Sequence, residues 1–363
     1  MSSLKRHIGP LLLTIYGLGG IIGAGVFALT GEIVGLSGNL APLAFFVAGI
    51  PALLAALSYA SLASAIPEAG GELAYIDEAF GNRVMNLSVI VAVFATGTLA
   101  GATLVTALAE LLAEIIPLPA LILGLCVLGL AACFTVFGVS LSVWLVSALT
   151  LIEIAALLIF IGLGRAEIID YARAPPFESL SQLDAWWPVI LGATVAFFAF
   201  IGFEDMVNMA EEVKRPARSF PVAILLAFVL SLILYALLAI VAQAALLDDQ
   251  GGSEASIDAL AQLAAHQGVL SPQVVRIIAL ISISNGVLIQ INMASRLLMG
   301  AGKRGALPGW SAALNPRTGT PLRALLVVFA CLCLLFLTGS LQSLAQLTSL
   351  LVLVLFVLVN TAL

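Results

Sequence analysis

The 363-residue chain is poor in charged residues, which make up only 9% of it, whereas 62% of its residues are hydrophobic. A soluble domain carries about a quarter charged residues. So few charges cannot cover a water-soluble fold of this size, which argues against a soluble enzyme, a nucleic-acid-binding protein or a disordered chain. The apolar runs are long and continuous, so an outer-membrane barrel is also disfavoured. The composition favours a helical protein that crosses a membrane several times.

Side chains with catalytic or metal-binding chemistry are also scarce. The chain has two histidines, and it contains no Ser/His/Asp set, no His-x-x-x-His spacing and no phosphate-binding loop. Its four cysteines lie in apolar runs without the spacing of a metal site, so we expect buried, inert thiols. These are Cys126, Cys133, Cys331 and Cys333. The sequence therefore predicts neither an enzyme nor a bound metal or cofactor.

Apolar runs predict ten membrane spans, because about 20 residues cross the hydrocarbon core as a helix. The predicted spans are Leu11–Gly35, Pro42–Ile66, Met85–Ala109, Pro119–Phe137, Val143–Gly164, Trp187–Ala210, Val222–Leu247, Val274–Leu298, Leu322–Leu337 and Leu341–Leu363. With the amino terminus in the cytoplasm, all but three of the 14 lysines and arginines fall on the inner side. The sequence thus predicts a multi-pass protein of the cytoplasmic membrane with a cytoplasmic amino terminus.

Two inner loops carry further predictions. The loop over residues 67–83 is half apolar, so we expect it to form a short helix in the membrane interface. Glu211 and Glu212 stand near a group of basic residues and predict an ion-pair cluster on the inner surface, where such pairs are usually weak. The basic residues are Lys214, Arg215 and Arg218.

Glycine is unusually dense in the first predicted span. Five glycines stand from Gly17 to Gly25, and each costs a helix about 0.5–1 kcal/mol relative to alanine. Such residues either let another helix pack closely or mark a stretch that unwinds to line a buried cavity. A break near Gly23 and Ala24 would present free carbonyls and free amides at one depth. These groups match the ammonium and carboxylate of an amino acid.

The sixth predicted span carries a matching signal, because Gly202 is followed by Glu204 and Asp205. Transporters built from inverted repeats have interrupted helices at corresponding positions of their two halves. Ten spans divide into five and five. We therefore predict one transport unit with a first repeat over residues 1–164 and an inverted second repeat over residues 187–363.

Five segments, in order along the chain, resemble the amino acid–polyamine–organocation (APC) superfamily. They are Gly20–Phe27, Pro67–Tyr75, Phe198–Glu204, Ala210–Pro221, and a late segment with Ser295-Arg296, Gly305–Pro308 and Arg317–Pro321. The resemblance implies an all-α membrane protein with an inverted 5+5 repeat of leucine-transporter-like fold and discontinuous first and sixth helices. It also implies alternating access and an amino acid or, in some members, a polyamine as substrate. Family members usually have twelve spans, so we expect the last two helices of that plan to be absent from this chain.

The resemblance also assigns a substrate site by position. The substrate carboxylate would meet the amides of Ala24 and Gly25, and its ammonium would meet the carbonyls of Ile21, Phe198 and Ile201. Phe198 aligns with an aromatic residue that covers the substrate in some members. The complete predicted set is Ile21, Ile22, Gly23, Ala24, Gly25, Phe198, Ala199, Ile201 and Gly202. Its apolar character favours a small or apolar neutral amino acid, with a cationic substrate paired to Glu153 as the alternative.

Two acids within the spans are predicted to act in coupling or gating, because ionisable groups at bilayer depth are expensive to keep. Glu153, in the middle of the fifth span, is a candidate proton carrier or cation ligand. The alternative is a structural acid that donates a hydrogen bond to the first helix. Glu204 is predicted to cap the second half of the sixth helix and support its gate, whereas its neighbour Asp205 is expected to face another direction.

The eighth span is denser in polar residues than packing requires. Its set is Ser282, Ser284, Asn285, Gln290 and Asn292. Hydroxyls there are candidates for a sodium site, and hydrogen bonds between helices are the alternative. The sequence therefore predicts a secondary active amino acid transporter, coupled to protons or sodium, that works by symport or exchange. The alternatives are an amino acid-binding membrane sensor and a cationic amino acid or polyamine antiporter. The expected partners are the substrate, the coupling ion and the lipid bilayer.

Overall fold

The computed structural model describes residues 6–68, 70–136, 139–248 and 271–363. Over these ranges the chain is helical, apart from turns and one isolated parallel bridge between Ile8 and Val213. The described α-helices are α1 Pro10–Ser37, α2 Ala41–Ala65, α3 Gly71–Phe80, α4 Arg83–Ala113, α5 Ala120–Val136, α6 Val139–Leu163, α7 Arg165–Arg173, α8 Trp186–Ala199, α9 Pro216–Asp248, α10 Pro272–Lys303, α11 Leu322–Thr338 and α12 Leu341–Ala362. The prediction of an all-α protein is confirmed.

Within the described ranges, six helical segments are long and apolar enough to cross a membrane. They are Thr30–Ala65, Arg83–Ala113, Val143–Leu163, Leu183–Glu212, Pro216–Gln243 and Pro272–Lys303. Shorter apolar helices cover Pro10–Gly23, Ala120–Val136, Leu322–Thr338 and Gln346–Ala362. Nine of these segments each overlap one predicted span, whereas Thr30–Ala65 overlaps the first and the second. Phe137, the predicted end of the fourth span, falls outside the described residues. How many of these segments cross the bilayer stays a prediction.

Helix α1 lies at the centre of the fold, where it packs against α6, α8, α9 and α10. It is one continuous α-helix from Pro10 to Ser37. The predicted break in the first span near Gly23 and Ala24 is therefore wrong. The main-chain amides after Gly23 lie inside a helix, where they pair with carbonyls of the preceding turn.

Close packing explains the glycines of α1. A Cβ atom on Gly20 would lie 2.8 Å from the carbonyl oxygen of Gly202, and one on Gly23 would lie 3.5 Å from the main chain of Ser282 and of Gly286. A Cβ atom on Gly19 would overlap side chains of α6 and α10. The glycines let neighbouring main chains touch α1, which is the alternative that the sequence left open.

The sixth span is interrupted, as predicted. Helix α8 ends at Ala199, and after a short turn a 3-10 helix covers Glu204–Glu212. Gly202, in the turn, has a φ of +127°, which residues with a side chain rarely adopt. A Cβ atom there would also overlap the main chain of Gly20. Gly202 therefore permits both the turn and its close contact with α1.

The predicted short helix of the first inner loop is confirmed as α3, and its residues from Gly71 to Ile76 are buried. The predicted burial of the cysteines is wrong. Cys126 and Cys133 are exposed on the protein surface, and Cys331 and Cys333 are partly exposed. A helix that faces lipid tails is apolar on its outer side, so a small apolar residue such as cysteine is stable there without burial in the protein.

Candidate substrate and coupling sites

Tyr235 joins α1 to the broken sixth span. This residue lies on α9, and its hydroxyl donates a hydrogen bond to the carbonyl oxygen of Ile21 at 2.7 Å. The same hydroxyl lies 3.1 Å from the carbonyl oxygen of Ala199. A tyrosine hydroxyl has one proton, so the two carbonyls share it. Both carbonyls therefore accept a hydrogen bond from outside their own helices, which is what binding of an ammonium group requires.

Aromatic packing holds Tyr235 in this position. Its ring centroid lies 5.4 Å from that of Phe45 and 5.6 Å from that of Phe200, and Phe200 also packs on Phe228 at 5.3 Å. Phe200 is fully buried, whereas Phe198 is partly exposed. The aromatic residue that packs against the break in this conformation is thus Phe200, two residues beyond the predicted gate.

The structure brings together only part of the predicted substrate set. Ile21 and Ala199 meet at Tyr235, and Gly202 meets α1 at Gly20. The Phe198 carbonyl accepts the N–H of Ile201 at 3.1 Å and so belongs to the turn. Ile22 and Gly23 are buried in α1.

The carboxylate half of the predicted site is not formed. Ala24 and Gly25 lie within the unbroken α1, so their amides do not project from a helix end. The predicted carboxylate contacts therefore have no geometric basis in this conformation. Sequence reasoning also missed Tyr235, although a tyrosine in an apolar span is a detectable polar signal.

Glu153 lies in a buried polar group between α6 and α10. It is 0% exposed, and its polar neighbours are Ser282 and Asn285. Ser282 and Asn285 lie close enough to interact with the Glu153 carboxyl as donors. Among the described residues, however, neither Glu153 oxygen, the Ser282 hydroxyl nor Oδ1 of Asn285 forms a hydrogen bond of standard geometry. The Asn285 amide donates to the Thr150 hydroxyl at 2.9 Å, which confirms one predicted bond between helices. The unfilled oxygen atoms of this group suit a proton or a small cation.

Glu204 and Asp205 occupy the other side of the break. Glu204 Oε2 accepts the N–H of Gly202 at 2.8 Å, so it stabilises the turn before the 3-10 helix, and no side chain caps the first amides of that helix. The predicted role of Glu204 at the gate stays a prediction. Asp205 Oδ2 accepts a hydrogen bond from Gln290 at 2.8 Å, a second bond between the eighth span and another element. Both acids line one small cavity with Glu72 of α3. The two acids direct their hydrogen bonds to different elements, Glu204 to the turn and Asp205 to α10, and both side chains are buried because this end of the 3-10 helix is surrounded by protein.

Ion pairs tie the ends of three helical segments together. Arg296 of α10 donates to Glu212 at 2.9 Å, and both side chains are 2% exposed. Lys303 pairs with Glu211, and Arg304 pairs with Glu68. The predicted surface cluster is thus wrong for Glu212, because its partner is a buried arginine 84 residues away. The basic residues proposed for that cluster, Lys214, Arg215 and Arg218, are exposed.

The same end of the protein holds the start of the described chain. The amides of His7 and Ile8 donate to the Glu212 carbonyl at 2.9 and 3.0 Å, and the Lys214 amide donates to the Ile8 carbonyl at 2.8 Å. The segment before α1 is therefore hydrogen-bonded to the end of the 3-10 helix. A movement of the 3-10 helix has to break these hydrogen bonds as well as the ion pairs.

The helical fold, the interrupted sixth span and its contact with α1 define a multi-pass membrane protein of the permease class. The sequence model of the amino acid permease family matches residues 8–363. The chain therefore belongs to that family and to the APC superfamily. The resemblance drawn from the five motifs is confirmed.

Two curated relatives and one solved structure illustrate the similarity. The chain is 27% identical over 346 residues to the methylthioribose transporter of Bacillus subtilis, with 88% of this chain and 72% of that protein covered. It is 26% identical over 385 residues to the branched-chain amino acid permease BcaP of Bacillus subtilis, with 99% and 80% covered. The fold is similar to that of MhsT in complex with L-phenylalanine, with a TM-score of 0.65, 12% identity, and 99% and 89% of the two chains covered.

Proposed function

We propose that this protein is a secondary active transporter that moves an amino acid across the cytoplasmic membrane by alternating access. The observation that carries the proposal is the pair of carbonyls, of Ile21 and Ala199, that Tyr235 satisfies at the break. An ammonium group donates three hydrogen bonds and can replace the hydroxyl there. The inverted repeat over residues 1–164 and 187–363 and the cytoplasmic amino terminus are part of this proposal.

The proposed substrate is a neutral amino acid with a small or apolar side chain. The residues around the break are apolar, with buried Ile22 and Phe200 and partly buried Ile201. The relative BcaP, named as a branched-chain amino acid permease, supports this class. A cationic substrate whose side chain pairs with Glu153 is the second candidate, because that buried carboxylate forms no described hydrogen bond of standard geometry.

We further propose that Glu153 couples transport to protons. A buried acid without a hydrogen bond of standard geometry is most stable in its neutral form, and it lies within electrostatic range of Tyr235. A proton on Glu153 and a substrate ammonium near Tyr235 would therefore influence each other through charge. A sodium ion held by Ser282, Asn285 and Glu153 is the alternative coupling ion.

The ion pairs at the end of α10 are the proposed closed inner gate. In the predicted topology this end faces the cytoplasm, and the Arg296–Glu212 pair is buried. Removing one partner of such a pair leaves an uncompensated buried charge and costs about 3–5 kcal/mol. The pairs therefore favour the conformation described here over one that opens toward the cytoplasm.

Reconstitution in liposomes tests the proposed transport. Uptake of labelled amino acids is measured with an imposed pH gradient, with an imposed sodium gradient, and with unlabelled substrate inside for counterflow. Branched-chain, small neutral and cationic amino acids form the panel, and methylthioribose is included because a relative is named for it. Accumulation driven by the pH gradient is expected for a neutral amino acid.

Each alternative predicts a different result in the same assay. A sensor binds ligand but shows no counterflow, and sodium coupling gives accumulation only with the sodium gradient. Liposomes with protein inactivated by heat serve as the control for leak. Absence of counterflow for every amino acid in the panel would contradict the proposed function.

A further inference from the structure

Three acidic side chains meet around one small cavity that is not part of the proposed substrate site. Glu72 of α3 and Glu204 and Asp205 of the 3-10 helix line a cavity of about 10 Å³, together with Tyr59. The three acids are between 2% and 8% exposed. A space of this size holds about one water molecule. The carboxyl groups are therefore buried next to each other with little room for solvent.

The described hydrogen bonds leave part of this cluster unsatisfied. Glu204 Oε2 accepts the Gly202 N–H, and Asp205 Oδ2 accepts the Gln290 amide, each at 2.8 Å. The Tyr59 hydroxyl lies 3.5 Å from Glu72 Oε1, which is the outer limit for a hydrogen bond. Asn208 of the 3-10 helix lies near the Glu72 carboxyl, but Glu72 Oε2 is buried without a hydrogen bond of standard geometry among the described residues. An unpartnered carboxyl oxygen that faces a buried cavity has to bind something or carry a proton.

The charged and titratable groups around the cluster do not neutralise three carboxylates. Arg296 of α10 donates its Nε to Glu212 and its Nη1 to Asn292, so the charge of Glu212 balances it. The other titratable neighbours are the hydroxyls of Tyr16, Tyr59 and Tyr75, from α1, α2 and α3.

Metal binding is not supported at this site. Among the described residues, no group of three or more His, Cys, Asp or Glu side chains is arranged to hold a metal ion. The proposal therefore concerns protons, which the carboxyl groups bind without a coordination shell.

Burial and mutual repulsion together decide the charge of the cluster. A buried carboxylate without a partner is costly, and neighbouring carboxylates disfavour a second negative charge. For Glu72, which lies outside the spans, burial is the main cause that raises the pKa from its ordinary value near 4.5 to about 8, and the Glu204 carboxyl adds to the effect. The arrangement described here therefore holds protons near neutral pH.

We propose that Glu72, Glu204 and Asp205 form a proton-binding site that holds the 3-10 helix docked on α2 and α3 while protonated and releases it when protons leave. The proposal rests on the proposed function only in treating this docking as a gate. It adds a second proton site, on different elements from Glu153. Through its bond to Gly202, Glu204 connects the cluster to the turn that touches α1.

The direction of the pH effect follows from Glu72. Because its pKa is raised in the docked arrangement, that arrangement binds more protons than one in which Glu72 is solvated. Docking is therefore favoured at low pH, and it weakens as pH rises from about 4.5 to about 8. Above about pH 8 the ionisation of Glu72 changes the free energy of docking no further.

Infrared spectroscopy of the substrate-free protein in liposomes tests proton binding directly. The C=O stretching band of protonated carboxyl groups is followed as pH is raised. In the native protein part of this band is expected to persist at neutral pH, and the contribution of Glu72 is expected to be half lost near pH 8. In Glu72→Gln the band is expected to be smaller, and the part that is lost near pH 8 in the native protein is expected to be absent.

Two further variants keep the test decisive. Glu78→Gln changes an exposed acid on the same helix and is expected to leave the titration unchanged. Asp205→Asn keeps an acceptor for Gln290 and is expected to lower the pH at which Glu72 loses its proton, because Glu72 then has one acidic neighbour fewer. This variant covers the case in which Glu72→Gln does not fold. A native band that is absent at neutral pH, or a titration in both cluster variants that is identical to that of the native protein, would overturn the proposal.

A distance measurement tests the release of the 3-10 helix. The four cysteines are replaced, and spin labels are attached through Phe80→Cys and Lys214→Cys, both of which are exposed positions. The distance distribution is expected to lengthen or broaden between about pH 5 and about pH 9, and to stay constant in Glu72→Gln.

An unchanged distribution in the protein that retains the acids, or movement that persists in Glu72→Gln, would contradict a gating role. Both measurements omit substrate, so they fail or succeed independently of amino acid transport.

Discussion

Removal of the Tyr235 hydroxyl is the sharpest test of the site at the break. In the structure this hydroxyl satisfies the carbonyls of Ile21 and Ala199 at 2.7 and 3.1 Å. Ala199 is the last residue of α8, so its carbonyl has no donor from its own helix. In Tyr235→Phe the ring and its packing on Phe45 and Phe200 are retained, but both carbonyls lose this donor.

The expected magnitude follows from the cost of an unsatisfied buried acceptor, which is about 1–3 kcal/mol. That cost falls on the empty protein, because a bound ammonium group would supply the missing hydrogen bonds. We therefore expect Tyr235→Phe to lower the melting temperature without substrate and to bind the substrate about 5- to 150-fold more tightly. The substrate should then raise the melting temperature of the variant more than that of the native protein.

Calorimetric titration and thermal unfolding of purified protein measure both effects. Tyr171→Phe is the matched control, because that partly exposed tyrosine donates to the Asn39 carbonyl at 3.2 Å, away from the break. Unchanged or weaker substrate binding in Tyr235→Phe, with a normal control, would refute the idea that the ammonium and the hydroxyl compete for the same carbonyls.

Three further variants test the coupling, the turn and the inner gate. Glu153→Gln is expected to abolish the response of uptake to a pH gradient while substrate binding is retained, and unchanged pH dependence in liposomes would remove Glu153 from coupling. Gly202→Ala is expected to reduce folded protein strongly in thermal unfolding, because a side chain at φ +127° is strained and would overlap Gly20. Glu212→Gln is expected to lower the stability of the conformation described here by about 3–5 kcal/mol, since it leaves Arg296 buried without its counter-charge. Thiol labelling from the inner side should rise in that variant, and unaltered labelling would argue against a gate.

The interruption of the sixth span was predictable, but the continuity of the first was not. Gly202 is followed closely by two acids, and a continuous helix would hold both at bilayer depth. The glycines of α1 are compatible with unwinding and with close packing alike. Whether the glycines unwind the helix or let it pack closely depends on the main chains of Gly202 and Gly286, which pack against α1 from distant parts of the sequence.

Long-range pairing accounts for the other differences between prediction and structure. Glu212 has basic residues near it in sequence, yet it pairs with Arg296, since only tertiary packing decides which cation is buried with it. The contact between Tyr235 and Ile21 joins residues 214 positions apart. Composition and periodicity were therefore sufficient to predict the helices, whereas the side-chain contacts between distant helices became known only from the structure.

The unbroken α1 leaves one half of the predicted amino acid site unformed, and the glycines indicate how it can form. The five glycines from Gly17 to Gly25 make this stretch about 2.5–5 kcal/mol less stable as a helix than alanines would. A substrate that binds with a Kd between 1 mM and 1 μM supplies about 4–8 kcal/mol. That free energy is net of the cost of opening the helix to expose the amides of Ala24 and Gly25 to the carboxylate, and the glycines make this cost smaller than alanines would. The glycines that let α1 pack against Gly202 when the site is empty thus also lower the cost of completing the site when a substrate arrives.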